Sequence, residues 1–155
     1  MKKLMLAVAL SVSSISCGVI AEEAKSEKQA KTAVEFRQAL MQLVRSNVGS
    51  LGAMSKGKIP FDAASMEKSG LRLEQLSLMM EDYFALDTRK FDVGSESLPK
   101  VWEDQADYKE KIQALTDAAA KLQNVAAAGN DSQYKAAIGG IFKTCKGCHD
   151  NYKAD

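Results

Sequence analysis

Apolar side chains recur at steps of three and four along four stretches of the chain. No stretch alternates apolar with polar residues as a half-buried strand would. The first, roughly Gln29 to Leu51, carries two adjacent apolar lines: Phe36, Leu40 and Leu43 on one, Met41, Val44, Val48 and Leu51 on the next. So wide a face allows one part to meet a bundle core while the other meets a partner subunit. The second, from just after Pro60 to about Leu86, is lined by Met66, Leu73, Leu76, Met80 and Phe84. The third, about Val101 to Ala128, has the most regular spacing: Tyr108, Ile112, Leu115, Ala119, Leu122 and Ala126. The fourth repeats it with Tyr134, Ile138, Ile141, Cys145, Cys148 and Tyr152, the seam spacing of packed helices.

Breakers and caps punctuate these stretches. Gly49, Gly52, Gly57 and Pro60 are expected to end the first helix, and Asp62 to cap the second. Gly70 is a weak point inside the second, costing about 1 kcal/mol against alanine. Gly129 stops the third, and Asn130 or Asp131 caps the fourth. Residues Glu22 to Lys28 are polar and expected to fray. The segment from Asp87 to Pro99, about a dozen residues, is the longest connection, and loops of that length are often functional. Helices of about 20 residues span roughly 30 Å. Four of them with short joints make an all-α, antiparallel, up-down four-helix bundle. A chain of 155 residues accommodates one such domain with a real core.

The first residues read as an export signal. Lys2 and Lys3 precede an apolar run from Leu4 to Ala9 that thins toward Ile15, and Val19-Ile20-Ala21 gives the small-residue pattern for cleavage after Ala21. Residues 1–21 are then the signal peptide and 22–155 the mature domain. The run is too short and too rich in serine for a membrane span. Two alternatives stand beside this reading: a helix retained in the fold, or a lipoprotein anchored at Cys17. The second is set back by Ser14, where such sites want an aliphatic residue. Cleavage leaves 19 of the 21 basic side chains against 20 acidic ones, a formal charge of −1. That offers no basic field for nucleic acid and no charge run for a membrane surface.

The chemistry concentrates in Cys145-Lys146-Gly147-Cys148-His149, a C-x-x-C-H string. On a helix the two cysteines lie one turn apart on one face, and His149 follows Cys145 by four residues. Both sulfurs can reach the two vinyl positions along one haem edge while the imidazole stands over the iron from the same side. The expected cofactor is haem c, one per subunit, covalent through Cys145 and Cys148, near the C-terminus. Three plainer readings compete. Structural zinc needs four ligands, and the mature chain offers three, because His149 is its sole histidine. A thioredoxin-like pair expects a βαβ context, which is missing from the pattern. A chance match is the third. A disulfide closing so small a loop would constrain the unfolded chain little. With one histidine, the far side of a haem iron is empty, holds an outside molecule, or accepts methionine sulfur.

These features resemble the class II c-type cytochromes, and most closely the cytochrome c′ family. Phe36-Arg37-Gln38, followed by Met41, resembles the aromatic-Arg-Gln segment of that family's first helix. Lys56-Gly57-Lys58-Ile59-Pro60-Phe61-Asp62 resembles the turn into its second, and Leu98-Pro99-Lys100-Val101-Trp102 its Pro-x-x-Trp approach to the third. Cys148-His149-Asp150-Asn151-Tyr152-Lys153 resembles the end of its fourth. The likeness spans essentially the whole mature chain. It implies an antiparallel homodimer built on the first two helices, a periplasmic setting and a five-coordinate, high-spin haem. Such a haem binds small diatomic gases, nitric oxide above all, against a crowded apolar distal face. Electron transfer with an unidentified redox partner is a further role in the family. Enzymatic turnover is not expected, since peroxidase-like chemistry normally wants a distal base and no second histidine serves.

By the same resemblance Met41 overhangs the iron, its alternative being a plain core methionine. Low-spin relatives use a first-helix methionine as sixth ligand, which would make the chain an electron carrier. Arg37, one turn before Met41 on the inward stripe with Val44 and Val48, needs a partner because an unpaired buried charge is costly. A haem propionate would supply charge-assisted bonds; the alternative is an exposed arginine paired with Glu35 or another surface acid. Gln38 is implied as a haem neighbour, Phe84 as part of the distal pocket, and Glu96 as a propionate neighbour or else a solvated acid. Trp102 reads as packing at a helix start. Lys153 stands where the family often carries arginine near the proximal histidine, and lysine lacks that planar fork.

Overall fold

The computed structural model describes residues 21–154, so the expected signal peptide and Cys17 lie outside the described residues. Helix α1 spans Glu27–Ser55. Ser26 caps it by accepting a hydrogen bond from the Gln29 backbone N–H, while the Gln29 side chain accepts one from the Lys25 backbone at 2.7 Å. This reciprocal Ser-x-x-Gln arrangement satisfies donors that an open helix start leaves bare. The expected fraying of residues 22–28 is therefore corrected. Glu22 and Ala24 also exchange backbone hydrogen bonds with Asp87, and Ala24 is buried.

The first helix likewise runs past its expected end. Leu51 and Met54 are buried beyond Gly49, and their burial outweighs about 1 kcal/mol per mid-helix glycine. Gly57, at φ 68°, ends α1: its N–H bonds Met54 O and the Lys58 N–H bonds Ala53 O, closing the last carbonyls.

Helix α2 spans Ala63–Phe84, and Asp62 caps it through the Ser65 backbone N–H at 2.6 Å. That bond holds the Asp62 carboxyl below the usual range. The expected third helix is divided. One turn, α3 (Lys100–Glu103), precedes α4 (Gln105–Ala127), and Asp104 caps α4 through the Asp107 N–H. The break lets the Trp102 indole N–H reach the Phe84 carbonyl at 3.0 Å. Gly129, at φ 64°, turns the chain into α5, Asp131–Tyr152, with Asn130 at the cap. The result is an all-helical, four-helix bundle with one extra helical turn.

Packing is tightest between α2 and α4. A Cβ added at Gly70 would meet Gln123 Cγ at 2.7 Å and the Ala119 carbonyl at 3.0 Å, so glycine is what allows these backbones to approach. Two turns further along α2, the buried Ser77 and Thr116 hydroxyls pair at 2.7 Å. By contrast α1 and α5 meet at few positions. Of the first helix's two apolar lines, Phe36 and Leu43 are each 54% exposed while Leu40 is buried, and Leu71 and Leu78 of α2 are also exposed.

Candidate functional site

The residues of the C-x-x-C-H string lie in the closing turns of α5. Cys145 and Cys148 stand one turn apart on α5, both free thiols and both half-buried. They pack against the bundle core together with Met41, Val44 and Val48 of α1 and Phe84 of α2. Burial pushes both thiols up, Cys148 to about 11, with the charge of Cys145 adding to the effect. A raised thiol marks apolar surroundings, unlike the depressed thiol of a redox or nucleophilic cysteine. Among the described residues no three His, Cys, Asp or Glu side chains converge as metal ligands, Cys145, Cys148 and His149 included. The donor set fits a large apolar group bonded at two sulfurs and does not fit a zinc cage.

His149, on the same terminal turns, is exposed, and its imidazole has no hydrogen-bond partner among the described residues. Met41 is half-buried. Phe84 is half-buried and packs on Tyr108 with ring centroids 5.6 Å apart. A hollow of about 390 Å³ bounded by Phe84, Leu86, Val101 and Tyr108 shares Phe84 with this set but includes neither cysteine.

Arg37 is buried, and its partner is not Glu35. Its Nε donates to the Tyr83 carbonyl at 2.9 Å, Nη1 to Thr88 Oγ1 at 3.1 Å, and Nη2 to the Leu86 carbonyl. The guanidinium also lies 5.3 Å from the Phe84 ring centroid and 5.2 Å from that of Trp102. Burial lowers its pKa, opposed by Tyr108 and Asp87. Three of its five N–H groups are engaged in this way, so Arg37 first of all ties α1 to the end of α2. Gln38, its neighbour, is exposed and enters no such network. Glu96 is exposed but held at the end of α5: its backbone carbonyl accepts from the Ala154 N–H at 2.9 Å, and its carboxylate lies 3.2 Å from Lys153 Nζ. Lys153 is thereby drawn toward Glu96.

The structure adds contacts that the periodicity did not show. Tyr152 donates its hydroxyl to Asp107, and its ring meets Tyr108 edge-on at 4.9 Å. Arg89 holds Asp87 and reaches Glu103 at 2.6 Å. Burial pushes the Asp87 carboxyl up, but the side-chain and backbone bonds from Arg89 outweigh it and leave Asp87 below the usual carboxylate range. No short-range pattern marks Tyr152 with Asp107 or Arg89 with Glu103, which lie 45 and 14 residues apart. The Asp104-x-x-Asp107 cap alone was readable.

Residues 32–153 match the protein-family model for cytochrome c′. The chain is 35% identical over 121 residues to the cytochrome c′ of Alcaligenes xylosoxydans, covering 78% of this chain and 92% of that one. The solved cytochrome c′ of Shewanella frigidimarina superposes with a TM-score of 0.73 at 38% identity, covering 81% and 97% of the two chains. A ferrous variant from Alcaligenes xylosoxidans, solved with nitric oxide bound, superposes at 0.71 with 34% identity over 81% and 96%. Covalent haem c is the cofactor of such proteins, and the described residues contain two cysteines for it, Cys145 and Cys148. On fold, thiol pair and likeness over most of its length, the chain belongs to the cytochrome c′ family.

Proposed function

We propose that this chain is a periplasmic gas-binding haem protein whose five-coordinate, high-spin iron takes nitric oxide and related small diatomics. One observation carries the reading: the sole histidine adjoins the thiol pair on α5, and Met41, Val44 and Val48 of α1 and Phe84 of α2 are, like the two cysteines, half-buried against the core. His149 holds the iron. Met41, Val44, Val48 and Phe84 supply no imidazole and no charge of their own, so such a wall admits small apolar diatomics and resists water and bulky anions. The nitric oxide complex of the Alcaligenes relative supports the same ligand class. Arg37 retains uncommitted N–H groups on its guanidinium for a propionate, with Gln38 and Glu96 as further neighbours of the haem edge.

The exposed Phe36, Leu43, Leu71 and Leu78 supply an apolar face on α1 and α2 for a homodimer. No described helix is long and apolar enough to cross a membrane, and export relies on the leader at residues 1–21. The deciding experiment is the optical spectrum of the pure haem protein before and after nitric oxide. A high-spin spectrum that changes on adding the gas is expected; a protein low-spin in both oxidation states and indifferent to the gas overturns the reading.

The half-burial of Met41 against the core favours one alternative, a low-spin electron carrier with Met41 sulfur as sixth ligand and an unidentified redox partner. That predicts a thioether-to-iron charge-transfer band lost in Met41→Ala, and an unchanged spectrum removes it.

A further inference from the structure

A metal-bound histidine almost always donates its second ring N–H to a carboxylate, a carbonyl or water, and that bond fixes the ring's orientation. Among the described residues no carboxylate or carbonyl accepts a hydrogen bond from the His149 ring. Its helix should also be mobile there. It lies in the last turn of α5, two residues after Gly147, where an added Cβ would touch nothing, so the glycine answers no packing need. Helix ends ordinarily fray.

This end is instead tied on two sides. Tyr152, three residues after His149, closes α5 and is buried. Its hydroxyl donates to Asp107 in the first turn of α4, and its ring packs edge-on against Tyr108. Lys111 at 3.1 Å and Lys100 at 3.9 Å keep Asp107 in a basic setting, and Lys100 also sits over the Tyr152 ring at 5.5 Å. On the other side the loop before α3 pairs with the chain end. The Leu98 N–H bonds the Tyr152 carbonyl and the Ala154 N–H bonds the Glu96 carbonyl, both at 2.9 Å. The hydrogen bond from Tyr152 holds Asp107 below the usual carboxylate range, so it stays ionised as acceptor at neutral pH.

We propose that Asp107 and Tyr152 are positioning residues for His149: their hydrogen bond, backed by the loop at 96–98, holds the terminal turn of α5 and so sets the imidazole's approach to the iron in place of a direct bond to the ring. The inference rests on the reading that His149 ligates haem iron. The two thioether links fix the helix N-terminal to His149, so how firmly the turn after it is held becomes a change in the iron–histidine bond.

The test uses the haem-loaded protein and its Tyr152→Phe and Asp107→Asn variants, each first weighed by mass spectrometry for attached haem. The readout is the iron–histidine stretching band in the resonance Raman spectrum of the ferrous form. Both variants should show the band broadened and moved to lower frequency, and the double variant should move it no further than either single one. Amide exchange over Cys148 to Lys153 should quicken roughly ten-fold on loss of one charge-assisted hydrogen bond. Lys146→Ala, which breaks the exposed pair with Asp150 on the same turns, serves as control and should leave the band in place. A band unmoved in both variants, whatever happens to thermal stability, overturns the clamp alone. Absence of any iron–histidine band in the haem-bearing wild type overturns the reading of His149 on which it rests.

Discussion

Arg37→Met tests most directly what ties α1 to the end of α2. Methionine keeps an unbranched stem but removes the donors to Tyr83 O, Leu86 O and Thr88 Oγ1. Each hydrogen bond from a charged donor contributes about 1.5–3 kcal/mol net, and each partly desolvated contact with the Phe84 and Trp102 rings about 0.5–2 kcal/mol. Opposing these is the desolvation of the guanidinium itself, several kcal/mol, which the variant no longer bears. Arg37 is 3% exposed, so that opposing effect is large and cancels much of the gain. Two carbonyls and a hydroxyl left without their donor still cost more than they recover, and the net loss is about 3 kcal/mol. For a domain of this size that is a fall of about 10 °C in Tm. Arg37→Lys keeps the charge, but one ammonium cannot span three acceptors fixed by a planar fork, and it should recover less than half the loss. Urea unfolding of the haem-loaded wild type, Arg37→Met and Arg37→Lys measures the series. A methionine variant within 1 kcal/mol of wild type would refute the view that Arg37 ties α1 to the end of α2.

Gly70→Ala should destabilise by about 1–2 kcal/mol in denaturant titration, because pushing α2 from the Ala119 carbonyl costs more than the helix propensity gained. Gly139→Ala, where the new methyl meets nothing, should stabilise by about 0.5–1 kcal/mol, and equal effects at the two sites would contradict the close approach. Asp87 has its carboxyl held below its ordinary value near 3.8, so its contribution is present above that pH and lost as pH falls through the lowered value. Asp87→Asn should therefore be less stable at neutral pH and show a flatter acid limb in melts below about pH 4. If α1 and α2 form the proposed homodimer face, Leu43→Glu with Leu78→Glu should give a monomer by sedimentation at concentrations where wild type is a dimer.

The helices were legible because their signals are local. Steps of three and four, Asp62 before α2, and Gly129 after α4 act within one or two turns, and the structure puts helix, cap and stop where those residues stand. Ser26-x-x-Gln29 was equally local and readable as a helix start, but polarity alone gave an expectation of fraying. The division at Asp104 was missed because Val101 and Trp102 were read as the start of the series that runs on from Tyr108, across the polar Glu103-Asp104-Gln105. Asp104 caps α4 while Trp102 turns to reach Phe84, a contact the sequence does not announce.

The sequence by itself determined the helical class, the single compact bundle length and the thiol pair with its adjoining histidine, because periodicity, capping and the C-x-x-C-H spacing act over a few residues. Only the tertiary structure decided which apolar residues of α1 are buried, where the three donors of Arg37 go, why Gly70 must be glycine, and that Tyr152 is tied to Asp107. Those partners lie 45 or more residues apart along the chain. What pairs them is how closely α1, α2, α4 and α5 pack, and packing distance is a property of the assembled bundle that no stretch of sequence carries alone.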